Sequence, residues 1–175
     1  MEIISIPLKG HLQHGDSKKN SRIITVGEIQ TMSAGTGIFH SEVNASPVEP
    51  VEFLQIWDYA ERTGIRILST RILASKTLER PNELAVIRIA RRQYSRFTST
   101  RHLGFLSGKV EVRKETRLSL APKAMAAYTV FLIEGEIVVD GEVLKRRDGM
   151  GVYDTKSFEL ETLKDSHILL IEVPM

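Results

Sequence analysis

His40 and Glu42 stand two residues apart in Ile38-Phe39-His40-Ser41-Glu42-Val43. An imidazole and a carboxylate suit a divalent transition metal, and iron, manganese, copper and nickel all accept such donors to differing degrees. The run reads as a strand, where residues i and i+2 point to the same face, so both side chains can approach one ion. Two histidines with one carboxylate form the open-sided triad of non-haem iron oxygenases. A His-x-Glu pair on a strand is also an ordinary polar pair, and the spacing alone leaves both readings open. The chain has no cysteine, so disulfides and thiolate ligands are excluded and any metal falls to histidine and carboxylate.

The elements that must position this pair read as short β-branched or apolar runs separated by turn residues, the pattern of an all-β sandwich or barrel. Residues 3–8 form one run, closed by Lys9-Gly10. Residues 11–14 lead into the polar turn 15–20, and residues 22–26 return. Gly27-Glu28 turns the chain into residues 29–32, and Gly35-Thr36-Gly37 turns it into residues 38–43. Pro47 and Pro50 interrupt the pattern before residues 52–57 resume it. In the last third, residues 110–112, 129–133, 137–139, 151–153, 158–160 and 168–173 read as strands. Asp140-Gly141 is a strong hairpin signal, because a type I′ turn needs positive φ at both positions. Glu134-Gly135 echoes Lys9-Gly10, each closing one apolar run and opening another. Two β units of similar plan are expected, joined by a middle of weaker pattern. Within that middle, residues 65–78 fit a strand pair or a short helix, and Pro81-Asn82 marks a turn before the apolar run 84–89.

The 175 residues are enough for a real core. No stretch approaches the roughly 20 apolar residues of a membrane span, and residues 1–5 lack the basic region and apolar core of a signal peptide. A cytoplasmic protein is expected. The net charge of +2 is small but uneven: residues 62–114 are rich in arginine and residues 134–175 are mostly acidic. Such asymmetry fits a solvated face or an acidic partner, and arginine alone specifies no nucleic acid.

Residues 27–44, taken with residues 4–16, resemble the second conserved box of the cupin superfamily, in the form found in pirins and bacterial pirin-like proteins, some of which act as quercetin 2,3-dioxygenases. Met32-Ser33-Ala34-Gly35-Thr36-Gly37-Ile38-Phe39-His40-Ser41-Glu42 carries the resemblance most specifically. Lys9-Gly10, His14-Gly15-Asp16-Ser17 and Gln55-Ile56-Trp57 match as well. Residues 129–174, with Glu134-Gly135, Asp140-Gly141 and Ile171-Glu172-Val173-Pro174, are similar to the second cupin of a pirin. Residues 58–106 depart from the pattern. The resemblance implies an all-β double cupin: residues 1–58 as a truncated N-terminal cupin carrying the metal box, 59–106 as a basic connector, and 107–175 as the C-terminal cupin.

In pirins the resemblance implies four protein ligands, two from a His-Pro-His box and then a histidine and a glutamate, which fall on His40 and Glu42. The box has no counterpart in these residues, and Met1 and Glu2 match the positions that follow it. His14 is usual at its place in the family without being a ligand. His11 lies three residues away and shares no strand face with it unless a bulge intervenes. His102 and His167 are isolated and read as structural. A metal, iron above all, is therefore expected to bind weakly or not at all. Exposed barrel edges should pair between two copies in a homodimer, or be covered by the apolar positions Ile65, Ile67, Leu68, Ile72 and Leu73.

Two functions follow. One is a pirin-like dioxygenase acting on a flavonol or related catechol, impaired by the missing ligands, with Gln30, Met32 and Trp57 as pocket residues. Met32 and Trp57 are alternatively barrel core. The other is a non-catalytic, shortened paralogue or regulatory binding protein, whose basic middle (Arg88, Arg91, Arg92, Arg96 and Arg101) would meet its partner.

Overall fold

The structure, a computed structural model, describes residues 1–58, 69–74, 85–89, 103–110, 116–119, 126–155 and 157–174. Every described element is a strand or turn, and no helix among them is long and apolar enough to cross a membrane. The chain divides into two compact units, Met1–Lys76 and Thr77–Met175.

The first unit is built from β1 (Glu2–Lys9), β2 (His11–Asp16), β3 (Ser21–Thr25), β4 (Glu28–Ser33), β5 (His40–Asn44), β6 (Glu52–Asp58) and β7 (Ser69–Ala74). They form one sheet of order β6-β1-β4-β7 and another of order β3-β2-β5. The apolar positions of residues 65–78, compatible with strand or helix in sequence, resolve as β7 where described, and β7 pairs antiparallel with β4 from Glu28↔Ala74 to Ser33↔Ser69. Ile65, Ile67 and Leu68 lie outside the described residues, as do Arg91, Arg92, Arg96, Arg101 and His102.

The second unit is built from β8 (Ala85–Ile89), β9 (Leu103–Val110), β10 (Thr116–Ser119), β11 (Ala126–Glu134), β12 (Glu136–Val139), β13 (Glu142–Lys145), β14 (Gly149–Val152), β15 (Ser157–Thr162) and β16 (Ser166–Pro174). Its sheets run β14-β11-β16-β9-β8 and β10-β15-β12-β13. Shifting each strand number by ten maps β6-β1-β4 onto β16-β11-β14 and β3-β2-β5 onto β13-β12-β15. Six strands thus repeat with the same neighbours, as the echo of the two glycines suggests.

Those glycines mark where the chain leaves one sheet and enters the other. Gly10 has φ +70° and Gly135 has φ +103°, a region L-residues rarely adopt. In each case the ladder shifts register just before the glycine, between Pro7 and Lys9 and between Leu132 and Glu134. A Cβ at Gly10 would sit 2.6 Å from the Pro50 carbonyl oxygen, and one at Gly135 would overlap Ser166 Oγ and lie 2.5 Å from the Asp165 carbonyl oxygen. Asp140 and Gly141 take φ of 45° and 89°, as a type I′ turn requires. They join β12 to β13 with Val139 opposite Glu142.

The second unit has an apolar core drawn from both its sheets. Tyr128, Val130 and Leu132 of β11 meet Ile137 and Val139 of β12, Phe158 and Leu160 of β15, and Ile168 and Leu170 of β16. β15 alternates exposed and buried residues without a break, the mark of a strand with one face inward.

These contacts predict an order of glycine effects. Gly135→Ala adds backbone strain and a clash with Asp165 and Ser166, and should lower stability by about 2 kcal/mol or more. Gly141→Ala, where a Cβ meets nothing within 4 Å, adds strain alone and should cost about 1 kcal/mol. Urea unfolding midpoints of the two variants measure the difference.

Candidate metal centre

β5 is short, and its residues 40, 42 and 44 share a face. Its register against β2 sets Glu42 opposite His14 and His40 opposite Asp16. In the other sheet, Ser5 of β1 pairs with Gln30 of β4 on one side and with Gln55 of β6 on the other. Three side chains of this sheet converge on the Glu42 carboxylate of the other. Ser5 Oγ donates to its Oε1 at 2.6 Å, Gln30 Nε2 to the same oxygen at 3.2 Å, and Gln55 Nε2 to Oε2 at 2.8 Å. Burying a carboxylate is costly unless its lone pairs are satisfied, and here three donors do so.

His14 is the neighbour that the sequence reading left outside the site. It is 1% exposed, and its ring stacks on that of His40 with centroids 6.0 Å apart and planes 26° from parallel. Its Nε2 lies 3.3 Å from Asp16 Oδ2, and its Nδ1 lies 3.1 Å from Gln30 Nε2 and 3.8 Å from Glu42 Oε1. The tautomer with hydrogen on Nε2 satisfies the first two contacts together: Nε2 donates to Asp16, and Nδ1 accepts from Gln30. Asp16 also closes the β2–β3 turn, accepting from the backbone N–H groups of Lys18 and Asn20 and from Asn20 Nδ2. Burial pushes the Asp16 carboxyl up, but these bonds from Asn20 and Lys18, with that from His14, outweigh it and hold Asp16 well below the usual carboxylate range.

The other residues singled out in sequence fall in different places. Gln30 is buried within the polar cluster, Met32 is fully buried, and Trp57 is 56% exposed. The core reading of Trp57 is corrected here: Trp57 pairs with Ile3 on β6, the edge strand of its sheet, so one side of the indole has no neighbouring strand. His11 is exposed on β2, and His167 lies on β16 opposite Lys109 in the second unit. Ser5, His14, Asp16 and Gln55 were missed as site residues. The available signal was the strand alternation that places Ser5 with Ile3, and His14 with Leu12, on inward faces.

As a test of fit, His40 and Glu42 offer one nitrogen and one carboxylate from a single strand face, a donor chemistry that suits a divalent transition metal. Among the described residues, no group of three or more histidine, cysteine, aspartate or glutamate side chains is arranged to hold an ion. The pair therefore fits two positions of a metal site and does not form a closed one.

The two halves of the chain match different family models. The pirin model covers residues 1–57, and that of the quercetinase C-terminal cupin domain covers residues 101–173. Several relatives carry the name "putative quercetin 2,3-dioxygenase", among them one from Pseudomonas aeruginosa and a second from Mycobacterium tuberculosis. That of Pseudomonas aeruginosa is 31% identical over 173 residues, which span 99% of this chain and 73% of the relative. The chain belongs to the pirin family. The second relative, from Mycobacterium tuberculosis, is 54% identical over 65 residues, 37% of this chain and 27% of its own length. Among solved structures, the bacterial pirin YhhW of Escherichia coli in complex with nickel(II) superposes with a TM-score of 0.81 at 25% identity, over 99% of this chain and 72% of that one. The convergence on Glu42 lies in the first unit, within the residues that the pirin model matches.

Asp16 supplies a pH test. Its carboxyl titrates lower in the folded chain than in the unfolded one, so its contribution is complete above the ordinary carboxylate range and is lost as pH falls through and below it. Wild-type stability in urea should decline from about pH 5 downward, and Asp16→Asn should flatten that decline while lowering stability near neutrality.

Proposed function

We propose that the first cupin of this chain binds a divalent transition metal through His40 and Glu42 and takes a hydroxylated aromatic such as a flavonol, in the manner of a quercetin 2,3-dioxygenase. The observation that carries the proposal is the placement of an imidazole and a carboxylate on the inward face of β5. The family, and the nickel in the related bacterial pirin, support it. Iron is the metal we favour for an oxygenase role.

A bound metal would supply open coordination positions at which an aromatic hydroxyl and O₂ can meet. The chain's own groups have separate roles. Ser5 and Gln55 hold the Glu42 carboxylate from opposite oxygens, fixing its direction. His14 stacks against His40 and limits the tilt of its ring. Met32 lies on the inward face of β4, in the row next to Gln30, and provides apolar wall. Trp57, exposed on the same face of β6 as Gln55, would cover an aromatic ligand bound there.

A second reading is a non-catalytic binding protein. It is favoured by the Glu42 carboxylate being already engaged by three protein donors, which a metal must displace or share. Metal analysis decides between the two. Titrated with iron(II) or nickel(II), the wild-type chain should take up about one equivalent weakly, as two protein ligands allow, and His40→Ala and Glu42→Ala should each weaken uptake by at least about tenfold. Quercetin consumption under O₂ should follow the metal content. A wild-type chain that takes up no metal favours the binding-protein reading.

A further inference from the structure

We infer that Gln30 is a specificity residue whose side-chain carbonyl accepts a hydrogen bond from the hydroxyl of an aromatic ligand. The inference deepens the reading above and rests on it for the aromatic class of ligand, but it does not require the metal.

Both hydrogens of the Gln30 amide are committed. One points to Glu42 Oε1 at 3.2 Å and the other to His14 Nδ1 at 3.1 Å. The reverse orientation would set the amide oxygen against the Glu42 carboxylate oxygen, and it would demand a hydrogen on His14 Nδ1 while Asp16 already takes one from Nε2. Asp16, His14 and Glu42 together therefore fix which end of the amide carries oxygen. That oxygen, Gln30 Oε1, is buried and has no hydrogen-bond partner among the described residues. An unmet acceptor inside a protein costs about 1–3 kcal/mol, so its presence calls for a donor beyond the described residues, and a bound ligand can supply it. Because Oε1 shares a carbon with Nε2, that donor must arrive beside Glu42 and His14.

The internal repeat shows that the barrel does not need this group. Ser5 lies five residues before Gly10, and Val130 five before Gly135. Ser5 pairs with Gln30 as Val130 pairs with Met150. The same place in the second unit thus takes an apolar side chain packed against the core. A glutamine there in the first unit is a departure from what the sheet requires, with its donors spent inward and its acceptor left over. Such a site takes O–H or N–H donors and rejects the same molecule when the donor is capped.

Phenol and its methyl ether anisole test this directly, since they differ in one donor. Titrations of the wild-type chain, followed by the side-chain amide resonances of Gln30, should give a dissociation constant about tenfold lower for phenol than for anisole. Gln30→Met, which copies the residue of the second unit, should bind the two alike. Equal binding of phenol and anisole to the wild type overturns the inference, as does failure of phenol to bind up to its solubility. So does a preference for phenol that survives in Gln30→Met. The wild-type comparison stands even if the variant does not fold. Quercetin turnover is read separately: its absence alongside a phenol preference removes the oxygenase reading and leaves Gln30 in place, whereas turnover without the preference does the reverse.

Discussion

A carboxylate inside a β-barrel must be met by donors from every side, and Glu42 imposes that demand on the first unit. Its two oxygens draw in Ser5 from β1, Gln30 from β4 and Gln55 from β6, so three strands of one sheet are tied to β5 of the other. Left unpaired, a charge so placed would destabilise the fold by several kcal/mol. Satisfied, it ties the two sheets together through directed bonds where most barrels rely on apolar packing. The stacked His14 and His40 rings complete the contact between β2 and β5. This network sets the register of the inner faces as well as the chemistry available there.

The second unit shows what the same six strands do without that demand. Counting from the two sheet-crossing glycines, and following the strand pairings, Ser5, His14, Gln30, Glu42 and Gln55 correspond to Val130, Val139, Met150, Leu160 and Leu170. His40, two residues before Glu42, corresponds to Phe158. Six polar groups in one unit thus correspond by position to six apolar groups in the other. Phe158 is 1% exposed and Val139 fully buried, so the second barrel is closed by ordinary hydrophobic packing. A polar interior is dispensable to the architecture, and its concentration in one repeat sets the first unit apart from the second.

Much of this was legible in sequence because it is local. The β-branched runs, the Asp140-Gly141 turn and the paired glycines each act through a few neighbouring residues, and the strands they imply are present, apart from residues 111–112, which lie outside the described residues. Other elements answer to distant partners. β9 contains Gly104, Ser107 and Gly108, poor strand formers, and it exists by pairing with β16 on one side and β8 on the other. β10 and β13 are four residues each and too brief to show a period. The short apolar run around Ile72 and Leu73 was compatible with strand or helix until the edge of β4 decided it. At the site, the i, i+2 spacing put His40 and Glu42 together, but the places of His14, Ser5 and Gln55 depend on register between strands far apart in the chain. Trp57 shows the opposite limit: alternation gives a face, and only the sheet order shows that β6 is an edge.

The surface and the interior of the first unit are joined through Asp16. Its Oδ1 holds the backbone of Lys18 and Asn20 in the β2–β3 turn, while its Oδ2 takes Asn20 Nδ2 and His14 Nε2. The turn places Lys19 at φ 67°, a conformation that an L-residue adopts at some cost and that the Asp16 bonds offset. The same carboxylate fixes the His14 tautomer, which leaves Nδ1 as an acceptor for Gln30, which in turn directs the Gln30 amide toward Glu42. A chain of four hydrogen-bonded residues therefore runs from an exposed hairpin to the carboxylate at the centre of the barrel. Each link sets the donor and acceptor roles of the next, so loosening the hairpin at Asn20 would be felt at Glu42 without any residue of the site being changed.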